Sequence, residues 1–449
     1  MKRSLISSTY LEGVSSAVLL LLVSFTCCLF ATTLNAAVLP NRQYKVDAQG
    51  SRRAPFSATH NDYAQPITPV VSTFEYTPMA MIYHSGWNRF LLGTLKLEPH
   101  PGFATETFFS GMITVDALTG KVANGGFQLE KGYSLSAPVL LSTKGYLYVP
   151  LCFKYCFVSI VNTLDWSLSW SNVESHATSV LVESVKCYIY LQQKSMKCLD
   201  MDNLATVKWT ITIPEYSYST GSLLLVNENN EEIVYYNGVK SISKVSPKQA
   251  KILTTVEPGY VQSIAHTGLS SFVVAIVKTQ DGLDAFGIVH VDSGKSSFSN
   301  GIGTLTTYLY PSVTCIENPQ PNTYIFKSLA YLTVPVNGSP TKILYHFSTT
   351  VTIAKDGVVS IATPQLFKLN ELKSKTVSFA SVSKDNCQVV LYRNGMYSKL
   401  DLHSGTFMMN VGSVTKGESF NDLMLGADNG RVYTIVGNAK TYLESIILN

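Results

Sequence analysis

Gly111-Met-Ile-Thr-Val-Asp116-Ala-Leu-Thr-Gly120-Lys121 contains the pattern that decides the fold of this chain. The pattern is a glycine, a short run typical of a β-strand, an Asp, and then a Thr-Gly or Ser-Gly turn. It returns as Gly287-Ile-Val-His-Val-Asp292-Ser-Gly294-Lys295 and as Gly395-Met-Tyr-Ser-Lys-Leu-Asp401-Leu-His-Ser-Gly405. We interpret each copy as a glycine with positive φ at a bend, a strand with alternating side chains, and a second turn capped by Asp and Gly.

Equivalents of the second turn recur along the chain at intervals that suit a four-stranded antiparallel blade. They lie near Asp116, Asn162, Asn203, Ser246, Asp292, Asn337, Asp401 and Asn438. The intervals are 46, 41, 43, 46, 45, 64 and 37 residues, against about 40 to 50 for a propeller blade. The sequence therefore predicts an all-β fold, a β-propeller of eight four-stranded antiparallel blades, with seven blades as the alternative. The long interval predicts an insertion of about 18 residues around Phe347–Lys375, as an extra hairpin or a surface loop.

The two ends of the repeat region are predicted to meet. The last unit, Asp422–Leu448, has candidates for only three strands. The run Ile67–Phe74 is predicted to supply the fourth. Joining the N- and C-terminal strands would close the ring and remove an exposed sheet edge.

The start of the chain resembles a targeting segment. Lys2 and Arg3 precede an uncharged apolar stretch, Val14–Ala31, and small residues at Ala36 and Ala37 offer a cleavage site. We therefore predict a signal peptide over residues 1–37, a flexible lead-in over 38–66 and one propeller domain over 67–449. The mature chain is expected to be secreted or in the lumen of the secretory pathway, or in the periplasm if bacterial. The alternative is an uncleaved single-pass membrane anchor, because the apolar stretch approaches the length that spans a bilayer.

Three stretches resemble a known repeat. They are Ser136–Tyr148 with its continuation to Leu168-Ser-Trp170, Leu199–Trp209 and Leu425–Ile435. They are similar to the repeat of pyrroloquinoline-quinone-like (PQQ-like, quinoprotein-type) β-propellers, a class close to WD40- and YVTN-like repeats. The resemblance covers roughly Thr77–Leu448. It implies an aromatic residue that docks between blades at the end of each repeat, a place held here by Trp170 and Trp209, with Phe127, Phe298 and Phe407 as candidate substitutes.

Enzymes of this family carry a calcium site of acidic and amide side chains, a catalytic Asp and often a pair of adjacent cysteines. No such set is assigned in this sequence, and the eight histidines have no metal-ligand spacing. We therefore predict no catalytic residue, no metal ligand and no cofactor. PQQ and calcium belong only to the alternative that the resemblance implies, a quinone-dependent dehydrogenase acting on alcohols or sugars.

The favoured function is an exported, non-catalytic module that binds a protein or glycan through its loops, as the related outer-membrane assembly lipoproteins of bacteria do with proteins. The net charge is +4 and the basic residues are dispersed, which argues against a nucleic-acid partner. A membrane partner is expected only if the N-terminal segment remains as an anchor. Charged residues make up 14% and aromatic residues 11%, which suits many half-buried strands.

Six cysteines lie beyond the predicted signal and are disulfide candidates: Cys152, Cys156, Cys187, Cys198, Cys315 and Cys387. Cys187 and Cys198 are predicted to pair across a hairpin whose turn is centred on Gln192-Gln193, which would place them directly opposite each other. Cys152 and Cys156 bracket a tight loop. The alternative for both pairs is a set of buried free thiols.

Two further patterns have competing interpretations. Asn337-Gly-Ser is a formal glycosylation acceptor, but Asn-Gly is also a favoured hairpin turn. The acidic stretches Asn227–Glu232 and Gln280–Asp284 lack the regular spacing of a calcium loop, so we predict solvated hairpin tips.

Overall fold

The strands in this computed structural model form antiparallel sheets along the described part of the chain. The described residues are 70–73, 77–84, 89–99, 106–116, 121–128, 134–135, 139–152, 156–174, 179–192, 194–214, 223–301, 313–336, 339–374, 377–381, 387–393, 395–412, 418–426, 431–437 and 441–447. Within them the one helical segment is a 3₁₀ turn at Glu183–Val185. The predicted signal peptide and lead-in lie outside the described residues.

The described strands form eight sheets, which we number 1 to 8. The first strand, β1 (Val70–Thr73), belongs to sheet 8. Sheet 1 contains β2 (Thr77–His84), β3 (Arg89–Pro99), β4 (Glu106–Asp116) and β5 (Val122–Gln128). Sheet 2 contains β6 (Ser134–Leu135), β7 (Leu140–Leu141), β8 (Tyr146–Cys152), β9 (Cys156–Asn162) and β10 (Leu168–Glu174). Sheet 3 contains β11 (Ser179–Val182), β12 (Cys187–Gln192), β13 (Ser195–Asp200) and β14 (Val207–Thr212). Sheet 4 contains β15 (Leu223–Glu228), β16 (Glu231–Asn237), β17 (Ile242–Ser246) and β18 (Lys251–Val256).

The second half of the chain continues the series. Sheet 5 contains β19 (Tyr260–His266), β20 (Phe272–Lys278), β21 (Asp284–His290) and β22 (Lys295–Phe298). Sheet 6 contains β23 (Val313–Gln320), β24 (Thr323–Val336), β25 (Ser339–Ile353), β26 (Val359–Ile361) and β27 (Gln365–Ser374). Sheet 7 contains β28 (Val377–Ser381), β29 (Gln388–Arg393), β30 (Met396–Asp401) and β31 (Thr406–Gly412). Sheet 8 contains β32 (Glu418–Gly426), β33 (Arg431–Gly437), β34 (Thr441–Ile447) and β1.

The hydrophobic core lies between consecutive sheets, so the middle strands are buried on both faces. In β20, Val273, Ala275 and Val277 belong to the cluster shared with sheet 4. The alternate residues Phe272, Val274 and Ile276 belong to the cluster shared with sheet 6. Because neighbouring side chains point to opposite faces and both faces are covered, the strand reads as a continuous apolar run rather than an alternating one.

Similar clusters join sheets 1 to 7 in sequence order. Sheet 8 packs on sheet 7 through β28 and β32, and β32 also contacts β2 of sheet 1. The predicted strand within Ile67–Phe74 is β1, and it pairs with β34 from Val70↔Ser445 to Thr73↔Tyr442. The N-terminal strand therefore completes the sheet formed by the C-terminal strands.

Six of the eight predicted turn positions fall after the third strand of a sheet, as expected: Asp116, Asn162, Asn203, Ser246, Asp292 and Asp401. The other two positions are wrong as equivalents. Asn337 and Asn438 lie outside the described residues, but the strands on either side of each are the second and third of their sheets. The interval from Asp401 to Asn438 is short because it ends at the turn between the second and third strands of sheet 8, one turn before the equivalent position.

The extra length in sheet 6 is arranged differently from the prediction. Strands β24 and β25 have 14 and 15 residues, whereas β20 and β21 have 7 each. The third-to-fourth turn of sheet 6 therefore follows Ile353, well beyond Asn337. The predicted insertion region does contain an additional strand, because β27 pairs with the extended part of β25.

The glycine that opens the repeat has a different role from the predicted bend in two of its three copies. Gly395 lies at a turn with φ 75°. Gly111 and Gly287 instead lie inside β4 and β21. A Cβ on Gly287 would meet the carbonyl of Ser297 and the ring of Phe298, and one on Gly111 would meet the carbonyl of Phe127. Glycine is required there because the fourth strand approaches closely.

Lys399 in β30 is fully buried. Burial lowers the pKa of Lys399 from 10.5 to about 7, with the charge of Asp401 opposing the shift. Between these two pKa values the unfolded chain binds more protons than the folded chain, so the free energy of unfolding must rise with pH.

We expect the free energy of unfolding to increase by about 2 kcal/mol between pH 7 and pH 9 through this lysine alone. Urea unfolding at both pH values measures it, and Lys399→Met should remove the increase. An equal pH dependence in the wild type and the variant would contradict the assignment.

Candidate functional site

A groove between sheets 2 and 3 is a concave site lined entirely by described residues. Its volume is about 670 Å³, within the range of small-molecule sites. Buried or half-buried apolar side chains form its floor: Ile160, Val173, Tyr190, Leu199 and Leu204. Polar side chains and one exposed indole line its walls: Ser169, Trp170, Ser171, Glu174, Gln192, Lys197, Asp202 and Asn203.

A bulge in β10, the outermost strand of sheet 2, shapes one wall. Trp170 lies opposite Ser159, but Glu174 lies opposite Phe157, so β10 carries two extra residues between these pairs. The Ser171 hydroxyl donates to the carbonyl of Val158 inside the bulge, and the Val173 N–H donates to Ser171 Oγ at 3.3 Å. Bulges disrupt ladder pairing and redirect side chains. This one lies directly after Trp170.

Trp170 departs from the role that the repeat predicts for it. Trp209 packs between sheets 3 and 4, Phe127 packs between sheets 1 and 2, and Phe298 packs between sheets 4 and 5. Trp170 is 55% exposed. In sheet 2 the packing role falls to Trp166, a turn residue with φ 59° whose ring centroid lies 6.3 Å from that of Phe127. The Trp170 indole is therefore partly exposed at the groove.

Phe407 lies on β31, the fourth strand of sheet 7, as the repeat predicts. All five aromatic positions singled out in the sequence thus fall on fourth strands.

The polar groups of the groove are partly fixed by their own hydrogen bonds. Lys197 Nζ donates to Gln192 Oε1 at 2.8 Å. The N–H of Ala205 donates to Asn203 Oδ1 at 3.2 Å. Asp202 accepts from Lys186 Nζ at 2.7 Å, and this bond lowers the pKa of the Asp202 carboxyl. Such bonds hold the side chains in place before a ligand arrives.

Tyr190 lies in the floor, only 6% exposed. Burial and then the nearby charge of Glu174 raise the pKa of the Tyr190 hydroxyl, so at neutral pH it is a neutral hydrogen-bonding group. The groove therefore combines an apolar floor, an exposed aromatic ring and hydrogen-bonding groups of both kinds. This composition suits binding.

A second group of polar residues lies between sheets 4 and 5. Five members are buried, namely Glu228, Tyr235, Lys244, His266 and Ser271, and the exposed Asp292 lies at the edge of the group. Lys244 Nζ lies 2.9 Å from Glu228 Oε2 and 3.0 Å from Asp292 Oδ2. Asp292 is the repeat Asp of sheet 5, so in this copy the turn residue also holds an ion pair.

Glu228 is the centre of this polar cluster. Glu228 Oε1 accepts from the Tyr235 hydroxyl at 2.6 Å and from the Ser271 N–H at 2.8 Å. The Gly268 N–H donates to His266 Nδ1 at 3.0 Å, which leaves Nε2 as the donor toward Glu228 Oε1 at 3.3 Å. Burial opposes ionisation of Glu228, but these bonds outweigh it and hold its pKa well below the usual range. We interpret the cluster as a structural link between the two sheets.

This cluster corrects the prediction of solvated acidic tips. The turn between β15 and β16 is exposed at Asn229 and Asn230, yet Glu228 is only 6% exposed. Asp284, at the start of β21, is 2% exposed and lies 3.2 Å from Lys278 Nζ. The sequence therefore located the hairpin tips but missed that their flanking acids turn inward.

The Cys187–Cys198 prediction is confirmed as a pair at disulfide distance, with Cα atoms 5.2 Å apart. The predicted register is wrong by two residues. Cys187 lies opposite Asp200, and Cys198 lies opposite Ile189, because the turn falls after Gln192↔Ser195 rather than at Gln192-Gln193. A register shift of two residues leaves the Cys187 and Cys198 side chains on the same face of the hairpin. The two cysteines are then diagonal neighbours and remain close enough to pair.

Cys315 and Cys387, which had no predicted partners, form a second pair at disulfide distance, with Cα atoms 4.7 Å apart. Cys315 is in β23, and Cys387 directly precedes β29, so this pair joins sheets 6 and 7. In the described part of the chain the one grouping of possible metal ligands is Cys315, Cys387 and His403. Its two sulfur atoms are already joined to each other.

The other predicted site residues are the Cys152–Cys156 pair and Asn337. The backbones of Cys152 and Cys156 lie directly opposite each other in the pairing of β8 with β9. Asn337, the glycosylation candidate, lies outside the described residues, next to the pair Val336↔Ser339.

Over the described ranges, no helix has both the length and the apolar character needed to cross a membrane.

No protein-family model matches the chain, and a search of curated proteins finds no match. Solved structures to which the chain shows a distant similarity include the WD40 domain of SCAP from fission yeast, with 8% identity, a TM-score of 0.49, and coverage of 87% of this chain and 96% of that one. Oligogalacturonate lyase in complex with manganese has 11% identity, a TM-score of 0.36, and coverage of 86% and 98%. The dihydro-heme d1 dehydrogenase NirN has 11% identity, a TM-score of 0.34, and coverage of 83% and 81%.

These similarities are distant, so the class of the fold follows from its own topology. Successive four-stranded antiparallel sheets that pack face to face define a fold of the β-propeller kind.

Proposed function

We propose that this chain is a non-catalytic β-propeller that acts as an exported binding or scaffold module, with the groove between sheets 2 and 3 as its binding site. The observation that carries the proposal is the half-exposed Trp170 at a preformed concave site. Large aromatic side chains that are exposed beside a pocket are typical anchors of binding surfaces. Every other aromatic residue at this repeat position with a described side chain packs between sheets.

We also propose that the eight sheets are the blades of one closed ring. The pairing of β1 with β34 supports this, as does the contact of β32 with β2 of sheet 1. Closure in this way removes the free edges that an open array would leave. A closed ring would make the groove a rigid feature between two fixed blades.

Export is supported by the cysteine pairs, because disulfides persist in oxidising compartments. It is also supported by the predicted signal peptide over residues 1–37. If that segment is instead an uncleaved anchor, the propeller would lie on the exported side of the membrane to which it is attached.

The binding test compares the purified wild type with Ala205→Arg on arrays of synthetic peptides and of defined oligosaccharides. Ala205 is an exposed turn residue that lines the groove, so Arg fills the site without entering the core. Gln249→Arg, in the corresponding exposed turn of sheet 4, is the matched control. We expect at least one ligand to bind wild type and control equally and the Ala205→Arg variant about tenfold more weakly. Binding that is unaffected by Ala205→Arg, or no binding on either array, would refute the groove as the site.

The dehydrogenase alternative has its own measurement. Purified protein is incubated with PQQ and calcium, and dye reduction is followed with alcohols and sugars as substrates. We expect no dye reduction above that of a boiled sample. Reduction that depends on both PQQ and calcium would favour the enzyme over the binding module.

A further inference from the structure

We infer that the ligand of this groove is a glycan, held by stacking of one sugar ring on the Trp170 indole. The inference rests on the proposed function and narrows it to one chemical class. Four features of the groove support it: the exposed ring, the mixture of hydrogen-bonding groups, the bulge in β10 and the size of the cavity.

The first feature is the Trp170 ring, which remains 55% exposed at the rim. The face of an aromatic ring is electronegative. One face of a pyranose carries several C–H groups with weak positive character, and it is flat enough to lie on an indole. Stacking of this kind buries apolar area on both partners while the sugar hydroxyls remain at the periphery, where they can reach polar groups.

The second feature is the chemistry of the walls. Sugar hydroxyls donate and accept hydrogen bonds, so they suit a site that offers both. Gln192, Asn203 and Ser169 provide amide and hydroxyl groups, and Lys197 and Glu174 add one donor and one acceptor of opposite charge. Asp202 is already bound to Lys186. Because the charges of the walls are mixed, a neutral oligosaccharide fits better than a strongly acidic or basic chain.

The third feature disfavours an extended peptide. A peptide that adds to a sheet edge needs a regular row of free N–H and C=O groups. Between Trp170 and Glu174 the edge strand β10 has a bulge of two extra residues. Within this bulge the Ser171 hydroxyl donates a hydrogen bond to the carbonyl of Val158 on β9. Bulges at sheet edges block this kind of addition. The wall beside Trp170 therefore binds through side chains rather than through a backbone ladder.

The fourth feature is size. A cavity of about 670 Å³ lies within the range of small-molecule sites and has room for a few sugar units. A short stretch of a neutral oligosaccharide is the occupant that all four features favour.

The test uses the full protein and a panel of neutral tetrasaccharides: cellotetraose, maltotetraose, xylotetraose, mannotetraose and chitotetraose. Isothermal titration gives the affinity, and tryptophan fluorescence reports contact with the ring. We expect at least one tetrasaccharide to bind with a change in fluorescence. Trp170→Ala should weaken that binding by about tenfold or more, and Trp170→Phe should recover most of it, because a ring remains to stack.

Tyr260→Ala is the matched control, because Tyr260 is 49% exposed on β19 and lies outside the groove. It should bind like the wild type. Circular dichroism of each variant confirms the fold, which the loss of an exposed side chain should leave intact.

The outcomes separate this inference from the proposed function. If peptides bind in a way that Ala205→Arg abolishes, and no tetrasaccharide binds, the groove is a binding site but the glycan inference is wrong. If a tetrasaccharide binds and Trp170→Ala changes nothing, the inference is also wrong. If neither array shows binding that depends on the groove, the proposed function itself fails.

Discussion

Replacing Lys244 by Met is expected to destabilise the folded protein by about 3 to 5 kcal/mol. Lys244 is 8% exposed, and its Nζ lies within 3.0 Å of carboxylate oxygens of both Glu228 and Asp292. Methionine has a similar length but no charge. The variant would leave Glu228 ionised and buried without its cation, and the cost of an uncompensated buried charge exceeds that of most single substitutions.

The stability lost in Lys244→Met should depend on pH in a defined direction. The hydrogen bonds around Glu228 hold its folded-state pKa below the ordinary value of 4.5, so its contribution to stability is present above that value and lost as the pH falls through and below it. Removing Lys244 weakens this contribution. The wild type and Lys244→Met should therefore differ most at neutral pH and converge in acid.

Urea unfolding at pH 7 and in acid measures both effects. The matched control is Lys186→Met, because Lys186 and Asp202 form an ion pair of similar length, 2.7 Å, with side chains 55% and 61% exposed. Exposed pairs contribute about 1 kcal/mol or less. The double variant Lys244→Met, Glu228→Gln should recover part of the lost stability, because it also removes the buried negative charge of Glu228. Equal effects of Lys244→Met and Lys186→Met would show that the cluster is not a structural link.

Much of the architecture could be predicted because its cause is local. A strand run, an Asp and a Gly turn form one hairpin, and the period of the hairpins reports the repeating sheet. The two misplaced turns, at Asn337 and Asn438, have the same physical origin. An Asn-centred turn suits the hairpin between the second and third strands as well as the next one, so the local signal cannot tell them apart.

The role of the repeat glycine was missed for a different reason. Glycine in a strand and glycine at a bend look identical in sequence, and only the position of Phe298 above Gly287 shows that the fourth strand requires the space. The two-residue error at Cys187 and Cys198 arises because the intervening Gln-Gln-Lys-Ser stretch contains no strong turn residue.

The candidate site depends on contacts that no single repeat contains. The groove needs β10 of one sheet and the turn after β13 of the next, and the Glu228 cluster likewise joins two sheets. The sequence does contain one signal for the groove. Sheet 2 has two tryptophans, Trp166 and Trp170, although a single aromatic residue is enough to pack against the adjacent sheet. Which of them is exposed follows from the bulge, and bulges leave no clear mark in sequence.

Removing the Cys315–Cys387 bridge is expected to cost about 4 kcal/mol of unfolding free energy, more than removing Cys187–Cys198 at about 3 kcal/mol. The reason is loop length. The two bridges join residues 72 and 11 positions apart, and in the chain-entropy model the longer loop loses more freedom in the unfolded chain. The longer bridge also joins sheets 6 and 7, whereas the shorter one lies within a hairpin that β-pairing already holds together.

The contacts around the longer bridge belong to the same interface. Lys327 Nζ donates to the carbonyl of His403 at 2.8 Å, and His403 Nδ1 lies 2.7 Å from Glu317 Oε1. Cys315 and Cys387 are themselves buried in the apolar cluster of sheets 6 and 7. Loss of the bridge should therefore loosen this interface first, while sheet 3 keeps its structure.

The double variants Cys315→Ala, Cys387→Ala and Cys187→Ala, Cys198→Ala test this in urea, since both remove two buried cysteines and differ mainly in the loop that is released. Hydrogen exchange should show faster exchange in β23, β28 and β29 for the first variant, and a change confined to β12 and β13 for the second. Both variants lose the same number of buried sulfur atoms. If the Cys187–Cys198 variant nevertheless lost more unfolding free energy, loop entropy could not be the cause. That result would mean that the bridge between the sheets adds little to an interface already fixed by its apolar packing.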